Sequence, residues 1–181
     1  MEWLDKVDEK GRPTGKVYER SYIHDHGIRH RTSHVWIMRQ KAGEMQILLQ
    51  KRSVDKDSFP GEYDISSAGH IPAGEGFEES ALRELEEELG ITAKAEDLHL
   101  IGPLTIRNEF IFHGKPFRDH QITHVYYLVM DIEPEQMRLQ ESEVESVMWI
   151  GLDECIRQTE KGGFPCLFPP ELKMLPKAFS T

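Results

Sequence analysis

The apolar positions change period several times along the chain, and each change marks an element. Trp3 to Val7 and Lys16 to Arg20 flank a turn at Asp8-Glu9-Lys10-Gly11 and predict an opening hairpin. A histidine-rich stretch holding His24, His26, His30 and His34 leads into two strand-like runs, Ser33 to Met38 and Met45 to Gln50, separated by Ala42-Gly43. Arg52 to Tyr63 is irregular, and Asp64 to Ile71 reads as a short strand. From Phe77 to Leu89 the residues Leu82, Leu85 and Leu89 recur at helical spacing, and Gly90 is a natural stop. Leu98 to Ile132 reads as strands, of which Thr123 to Met130 is the clearest. After an acidic loop, Glu141 to Glu145, come a strand (Ser146 to Ile150), a helix (Leu152 to Glu160) and a short terminal helix opened by Pro169-Pro170. Strands and helices mix without strict βαβ alternation, which predicts an α/β sandwich with a mixed sheet. No repeat or linker divides the chain. Residues 1–181 are therefore read as one domain, with an N-terminal hairpin and His-rich extension (1–30) and a C-terminal tail (163–181).

One predicted helix works against itself. Positions 84 to 88 hold four glutamates, Glu84, Glu86, Glu87 and Glu88, beside the single cation Arg83. At the helical period Glu84, Glu87 and Glu88 fall within an arc of about 100°, and the apolar face of Leu82, Leu85 and Leu89 is expected to point well away from it. Like charges at i,i+3 and i,i+4 each cost roughly 0.2–0.5 kcal/mol. The carboxylates also lie near the helix C-terminus, where the dipole opposes negative charge. An ordinary solvated acidic face would interleave lysines. A divalent cation would instead turn three repelling carboxylates into ligands, and hard oxygen donors suit Mg²⁺ or Mn²⁺.

The surroundings add a pattern. Counting from Gly69, five residues lead to Glu75 and seven more to Arg83-Glu84-Leu85; Glu87-Glu88 and Gly90-Ile91 follow at single-residue intervals. Treating positions as independent draws from composition, a chance match per window is on the order of one in 10⁸. The segment Gly69 to Ile91 resembles the complete signature of the Nudix hydrolases. That resemblance implies an α/β/α sandwich with a loop–helix–loop signature, and divalent-metal-dependent hydrolysis of a diphosphate linkage in a nucleoside diphosphate derivative or a related small diphosphate. Carried onto this chain, it implies that Glu84, Glu87 and Glu88 bind Mg²⁺ (or Mn²⁺) with the Gly69 carbonyl, and that Glu75 pairs with Arg83. A carboxylate must take the proton from water. Glu84 ranks first for that role, and of the loop glutamates Glu143 ranks ahead of Glu141 and Glu145.

Further stretches, His30 to Trp36, Leu48 to Ser53 and Phe59-Pro60-Gly61, resemble the branch that includes isopentenyl-diphosphate isomerase. Its catalytic cysteine precedes the Gly-His pair, where this chain has Ala68. Alanine moves no proton, so hydrolysis is expected rather than isomerisation. A catalytically silent binding module is a further alternative, which the intact signature disfavours. Isomerases also build a metal site from histidines, and His24, His30 and His70 could supply a second site here; satisfied structural histidines are the competing reading. Lys51 and Arg52 end a strand, where alternate residues face opposite sides. Arg52 is favoured for phosphate because a guanidinium binds it bidentately. Downstream, Lys115, Phe117 and Arg118 offer charge and stacking.

Composition narrows the partners. The formal net charge of −10 argues against a nucleic-acid polymer, and a highly charged small substrate would need a cation, or a local basic patch, to enter an acidic site; the resemblance implies that this substrate is a small-molecule diphosphate. No apolar run reaches the roughly 20 residues of a bilayer span, the N-terminus lacks the apolar stretch of a secretion signal, and Cys155 and Cys166 form no framework. No membrane association and a cytoplasmic location are expected. The resemblance allows a homodimer.

Overall fold

A computed structural model describes residues 1–179. The chain opens with β1 (Trp3–Val7) and β2 (Pro13–Glu19), an antiparallel pair closed by the turn at Asp8, whose carboxylate accepts from the backbone of Lys10 and Arg12. The histidine-rich stretch holds an element that its sequence did not advertise: α1 (Arg20–His26), closed by Gly27 at φ 63°. With seven residues and only Ile23 and His24 buried, it shows too little periodicity to be read from the chain.

The main sheet centres on β3 (His30–Lys41), buried from His30 through Arg39. Antiparallel to it run β4 (Glu44–Arg52) and β6 (Ser67–His70), while β8 (Lys115–Val129) lies parallel along its other edge. The two-residue β5 (Tyr63–Asp64) pairs with β4. The run Asp64 to Ile71, expected as one strand, is thus two pieces. At the break, Ser66 Oγ donates to the Leu48 carbonyl and accepts from the Ile37 N–H, so a side chain takes over ladder bonds. The long middle section is a hairpin of β7 (His99–Phe112) and β8, turning at His113-Gly114 with φ of 52° and 73°. β9 (Val144–Gly151) adds antiparallel to β4, giving a mixed sheet.

Alternation along β3 builds the layers. Val35 and Ile37 pack with Leu85 and Leu89 of α2 (Phe77–Leu89) on one face; Trp36 and Met38 pack with Cys155 and Ile156 of α3 (Leu152–Glu160) and Leu172 of α4 (Pro169–Leu172) on the other. The architecture is an α/β sandwich, as the sequence predicts. No helix among the described residues is long and apolar enough to cross a membrane.

Candidate active site

A cavity of about 540 Å³ opens beside β6, and Gly69, Glu84, Glu87, Glu88 and Glu143 all line it. Helix α2 corrects the expected separation of its faces. Glu88 is only 6% exposed and packs among the residues that bury the helix, while Leu82 is only half-buried. The reason is angular: Glu88 lies about 60° from Leu85 around a helix, so the acidic arc borders the buried face instead of opposing it. Ser67 Oγ donates to Glu88 Oε2 at 2.8 Å and Gln50 Nε2 donates at 3.3 Å. Burial pushes the Glu84 carboxyl up to about 7. It pushes Glu88 up to about 8, with the charge of Glu84 adding to the effect.

Gly69 is required by close approach. A Cβ at that position would stand 2.4 Å from Glu84 Cδ, so only glycine lets the carboxylate of α2 lie against the backbone of β6. Arg83 is shared among three acids. Its Nη1 is 2.9 Å from Glu84 Oε1 and 3.2 Å from Glu87 Oε2, and its Nε is 3.6 Å from Glu75 Oε2. Glu75, read as the partner of Arg83, is thus its most distant acid, and accepts a bond from Ser80 Oγ at 3.0 Å.

The adjacent cations separate as the strand period requires. Lys51 does not reach the cavity; its Nζ is 2.9 Å from Glu145. Of the two strand-end residues that are candidates to bind substrate, Lys51, the less favoured, is the one turned away from the cavity. Arg52 does line the cavity, with Nη1 donating to Asp64 at 2.9 Å and Nε and Nη2 donating to the carbonyl and hydroxyl of Ser58. Two other cations on the wall, Arg20 and Lys56, were missed. Lys56 pairs with Glu143, the one loop glutamate among Glu141, Glu143 and Glu145 that reaches the cavity. Of the downstream trio, Phe117 lines it and stacks on His24 at 4.1 Å, whereas Arg118 donates to the Asp25 carbonyl and Lys115 is exposed at the hairpin end.

On the His70 side, ring nitrogens of His24, His30 and His70 lie within 4.8 Å of one another. His24 Nδ1 faces the Arg118 carbonyl at 3.4 Å and His30 Nδ1 the Ile28 carbonyl at 3.0 Å. Each Nε2 is thereby left to point inward; that of His24 stands 3.1 Å from His70 Nε2, and that of His30 is buried without a partner. Asp119, which the sequence reading missed, places Oδ1 3.6 Å from His30 Nε2, and that oxygen is also unpartnered. Burial lowers His24 to about 3 and His30 to about 4, lowers His70 well below the usual value, and raises Asp119 to about 6. Neutral imidazoles offering lone pairs, oriented by carbonyls behind them, are what a metal ion requires of histidine.

Residues 28–166 match the model of the NUDIX domain. The chain belongs to the Nudix family. A Nudix hydrolase of Clostridium acetobutylicum is 39% identical over 86% of this chain and 73% of its own length. One from Listeria monocytogenes is 31% identical over 98% of this chain and 97% of its own. Nudix hydrolase 3 of Arabidopsis thaliana is 39% identical over 84% of this chain, which spans only 20% of that protein. Among solved structures the fold is shared with DR0079 of Deinococcus radiodurans (TM-score 0.66, 20% identity, 90% of this chain and 91% of that one). It is also shared with a MutT protein of Methanosarcina mazei (TM-score 0.60, 20% identity, 80% and 91%). The protein is accordingly a Nudix hydrolase, an enzyme class that cleaves diphosphate linkages, and Gly69, Glu84, Glu87 and Glu88 of its signature line the cavity.

Proposed function

We propose that this Nudix hydrolase cleaves a small diphosphate, a nucleoside diphosphate derivative or a related compound, with Mg²⁺ or Mn²⁺ held by Glu84, Glu87, Glu88 and the Gly69 carbonyl. The observation that carries the reading is the burial of Glu84 and Glu88 beside a glycine that admits no Cβ. Buried carboxyls raised to about 7 and about 8 are only partly compensated by Arg83 and Lys56, and a divalent ion would supply the rest. Such an ion neutralises phosphate oxygens and acidifies water at the site. The protein's own contribution is positional. Ser67 and Gln50 fix Glu88, Arg83 steadies Glu84 and Glu87, and Arg20, Arg52 and Lys56 line the path for an anionic substrate. Glu84 is the first choice to accept the proton from water, and Glu143, held by Lys56, is the second. The test is a panel of diphosphates with product masses determined in Mg²⁺ and after chelation. Cleavage that persists without metal, or no cleavage of any member, would overturn the reading.

A second ion at His24, His30 and His70, with Asp119 beside them, belongs to the same proposal. It is supported by the converging Nε2 atoms and by the unpartnered buried atoms of His30 and Asp119. Elemental analysis should find an imidazole-preferring metal such as Zn²⁺, and His24→Ala should lower its stoichiometry; equal content in both proteins rejects the site. With Ala68 in place of a proton-carrying side chain, isopentenyl diphosphate should yield no dimethylallyl diphosphate, and chromatography of the products decides this. A cytoplasmic setting, with Cys155 and Cys166 as free thiols, completes the reading.

A further inference from the structure

Strand β3 carries a polar residue that none of the roles above uses. His34 is buried and lines the cavity, directly across from Ala68 in the β3–β6 register. Its Nδ1 is 3.0 Å from both carboxylate oxygens of Glu171 on α4. Glu171 is 1% exposed and also accepts the indole N–H of Trp36 at 2.8 Å. The carboxylate is thus fixed from two sides of one strand face, and it fixes the ring in turn. The hydrogen bonds of the ring among the described residues run from Nδ1 alone, and the side chain lines the cavity, which leaves Nε2 free for a molecule bound there.

Burial opposes a charge on this ring, but Glu171 in bonding contact, with Asp64 and Asp119 farther off, raises its pKa above the usual value. The three metal-oriented histidines go the other way. Position decides what His34 addresses. Neighbouring residues on a strand face opposite sides. Gly69 faces Glu84, whereas Ala68 packs with the core on the α3–α4 side, where Leu167 and Leu172 lie. His34 therefore meets a bound molecule away from the acidic wall.

We propose that His34 is a specificity residue that donates a hydrogen bond from Nε2 to an oxygen on the group attached to the diphosphate, with Glu171 as the positioning residue that orients the ring. This rests on the diphosphate reading above. A hydroxyl-bearing group, as in a nucleoside or sugar, satisfies the donor. A hydrocarbon group leaves it desolvated and unpaired, the asymmetry by which a polar site rejects an apolar analogue.

Calorimetry with two non-hydrolysable probes, α,β-methylene adenosine diphosphate and the methylene diphosphonate of isopentenol, tests this in the presence of Mg²⁺. His34→Ala should weaken the nucleoside probe by about tenfold or more and the isopentenyl probe by no more than about twofold, narrowing the preference of the native protein. His34→Gln, which keeps a donor, should recover part of the loss. Glu171→Gln, which keeps an acceptor for Trp36, should fall between. Should His34→Ala fail to fold, the two glutamine variants make the same comparison. Equal losses for both probes, or no preference for the nucleoside in the native protein, would overturn the assignment. Selective loss without turnover of any diphosphate would sink the hydrolase reading alone; turnover with equal losses would sink this one alone.

Discussion

The acidic end of α2 and the histidine cluster lie on either side of the Gly69–His70 step, and the same burial acts on them in opposite directions. It raises Glu84 to about 7 and Glu88 to about 8, and lowers His24 to about 3 and His30 to about 4. Both clusters are pushed toward neutrality. For imidazole the neutral form is the metal-ready form, and its cost without an ion is small. For carboxylate the neutral form must be given up before an ion can bind, and without an ion the buried acids oppose folding more as pH rises. Under the proposed metal reading, the acidic end has the greater need of a cation and should respond more sharply to losing one.

Glu88→Gln is the largest break in this comparison. Turnover at saturating Mg²⁺ should fall by about a hundredfold or more, while the chelated protein gains stability. The sign follows from linkage: between the unfolded value of 4.5 and the folded value of about 8, the native state holds a proton that the unfolded state lacks. Metal-free wild type should therefore lose stability as pH rises through that window, by up to a few kcal/mol, and Glu88→Gln should not. Urea unfolding at pH 5.5 and 8.5 in chelator measures it; parallel behaviour of the two proteins would show that Glu88 is not buried as a lone acid.

Next in size is Gly69→Ala. The new methyl would meet the end of the Glu84 side chain, a group that can swing away cheaply. Turnover should drop by roughly tenfold or more, with thermal unfolding close to wild type. A large loss of stability with normal kinetics would mean that the backbone, not Glu84, had yielded.

The two clusters also differ in how far the sequence discloses them. The acidic end was legible because one helix carries it: the i, i+3, i+4 spacing, the uncompensated charge and the glycines all lie between Gly69 and Ile91. What the period alone misjudged was Glu88, since a charged residue next to an apolar stripe looks solvated until its neighbours are known. The histidines come from α1, β3 and β6, and only the fold brings them together. Asp119 was missed because it arrives from β8 with no local pattern around it. Most strands and the two longer helices follow from the sequence pattern, whereas the short α1 and the break between β5 and β6 do not. His34 was visible as a residue but not as a partner of Glu171, which is 137 positions away.

Arg83→Ala sharpens the acidic side. Removing the cation leaves Glu84, Glu87 and Glu75 facing one another, and both rate and stability should suffer. The stability loss should be about 1 kcal/mol, because the guanidinium is 32% exposed and solvent already screens its pairs. Added Mg²⁺ should restore part of it. Unchanged unfolding and kinetics would show that Arg83 steadies nothing.

The histidine side is tested on the acid limb. His24 has a folded value of about 3 against 6.5, so below pH 6.5 the unfolded chain takes up a proton that the native state refuses. Its contribution is present above 6.5 and is lost as pH falls toward the folded value. His24→Gln should reduce the slope of stability against pH between 6.5 and 4 by about one proton, leaving the alkaline limb unchanged. An unaltered acid limb would mean that the ring accepts its proton in place.

The smallest expected effect separates the cations that serve the clusters from one that does not. Lys56 stands on the cavity wall, where its charge favours ionised Glu88 and disfavours protonated His70. Lys51, only five positions earlier in the chain, turns outward to Glu145 and is absent from the wall. Lys51→Ala should leave kcat and KM for any cleaved diphosphate within about twofold of wild type, as exposed ion pairs generally do. Lys56→Ala should raise KM several-fold, because it removes positive charge from an acidic cavity that must admit an anion. Side-by-side kinetics at low and physiological salt provide the measurement, since a charge that acts through the cavity should matter more when screening is weak. If Lys51→Ala raises KM as much as Lys56→Ala does, substrate reaches beyond the cavity to the side of β4 that carries Lys51.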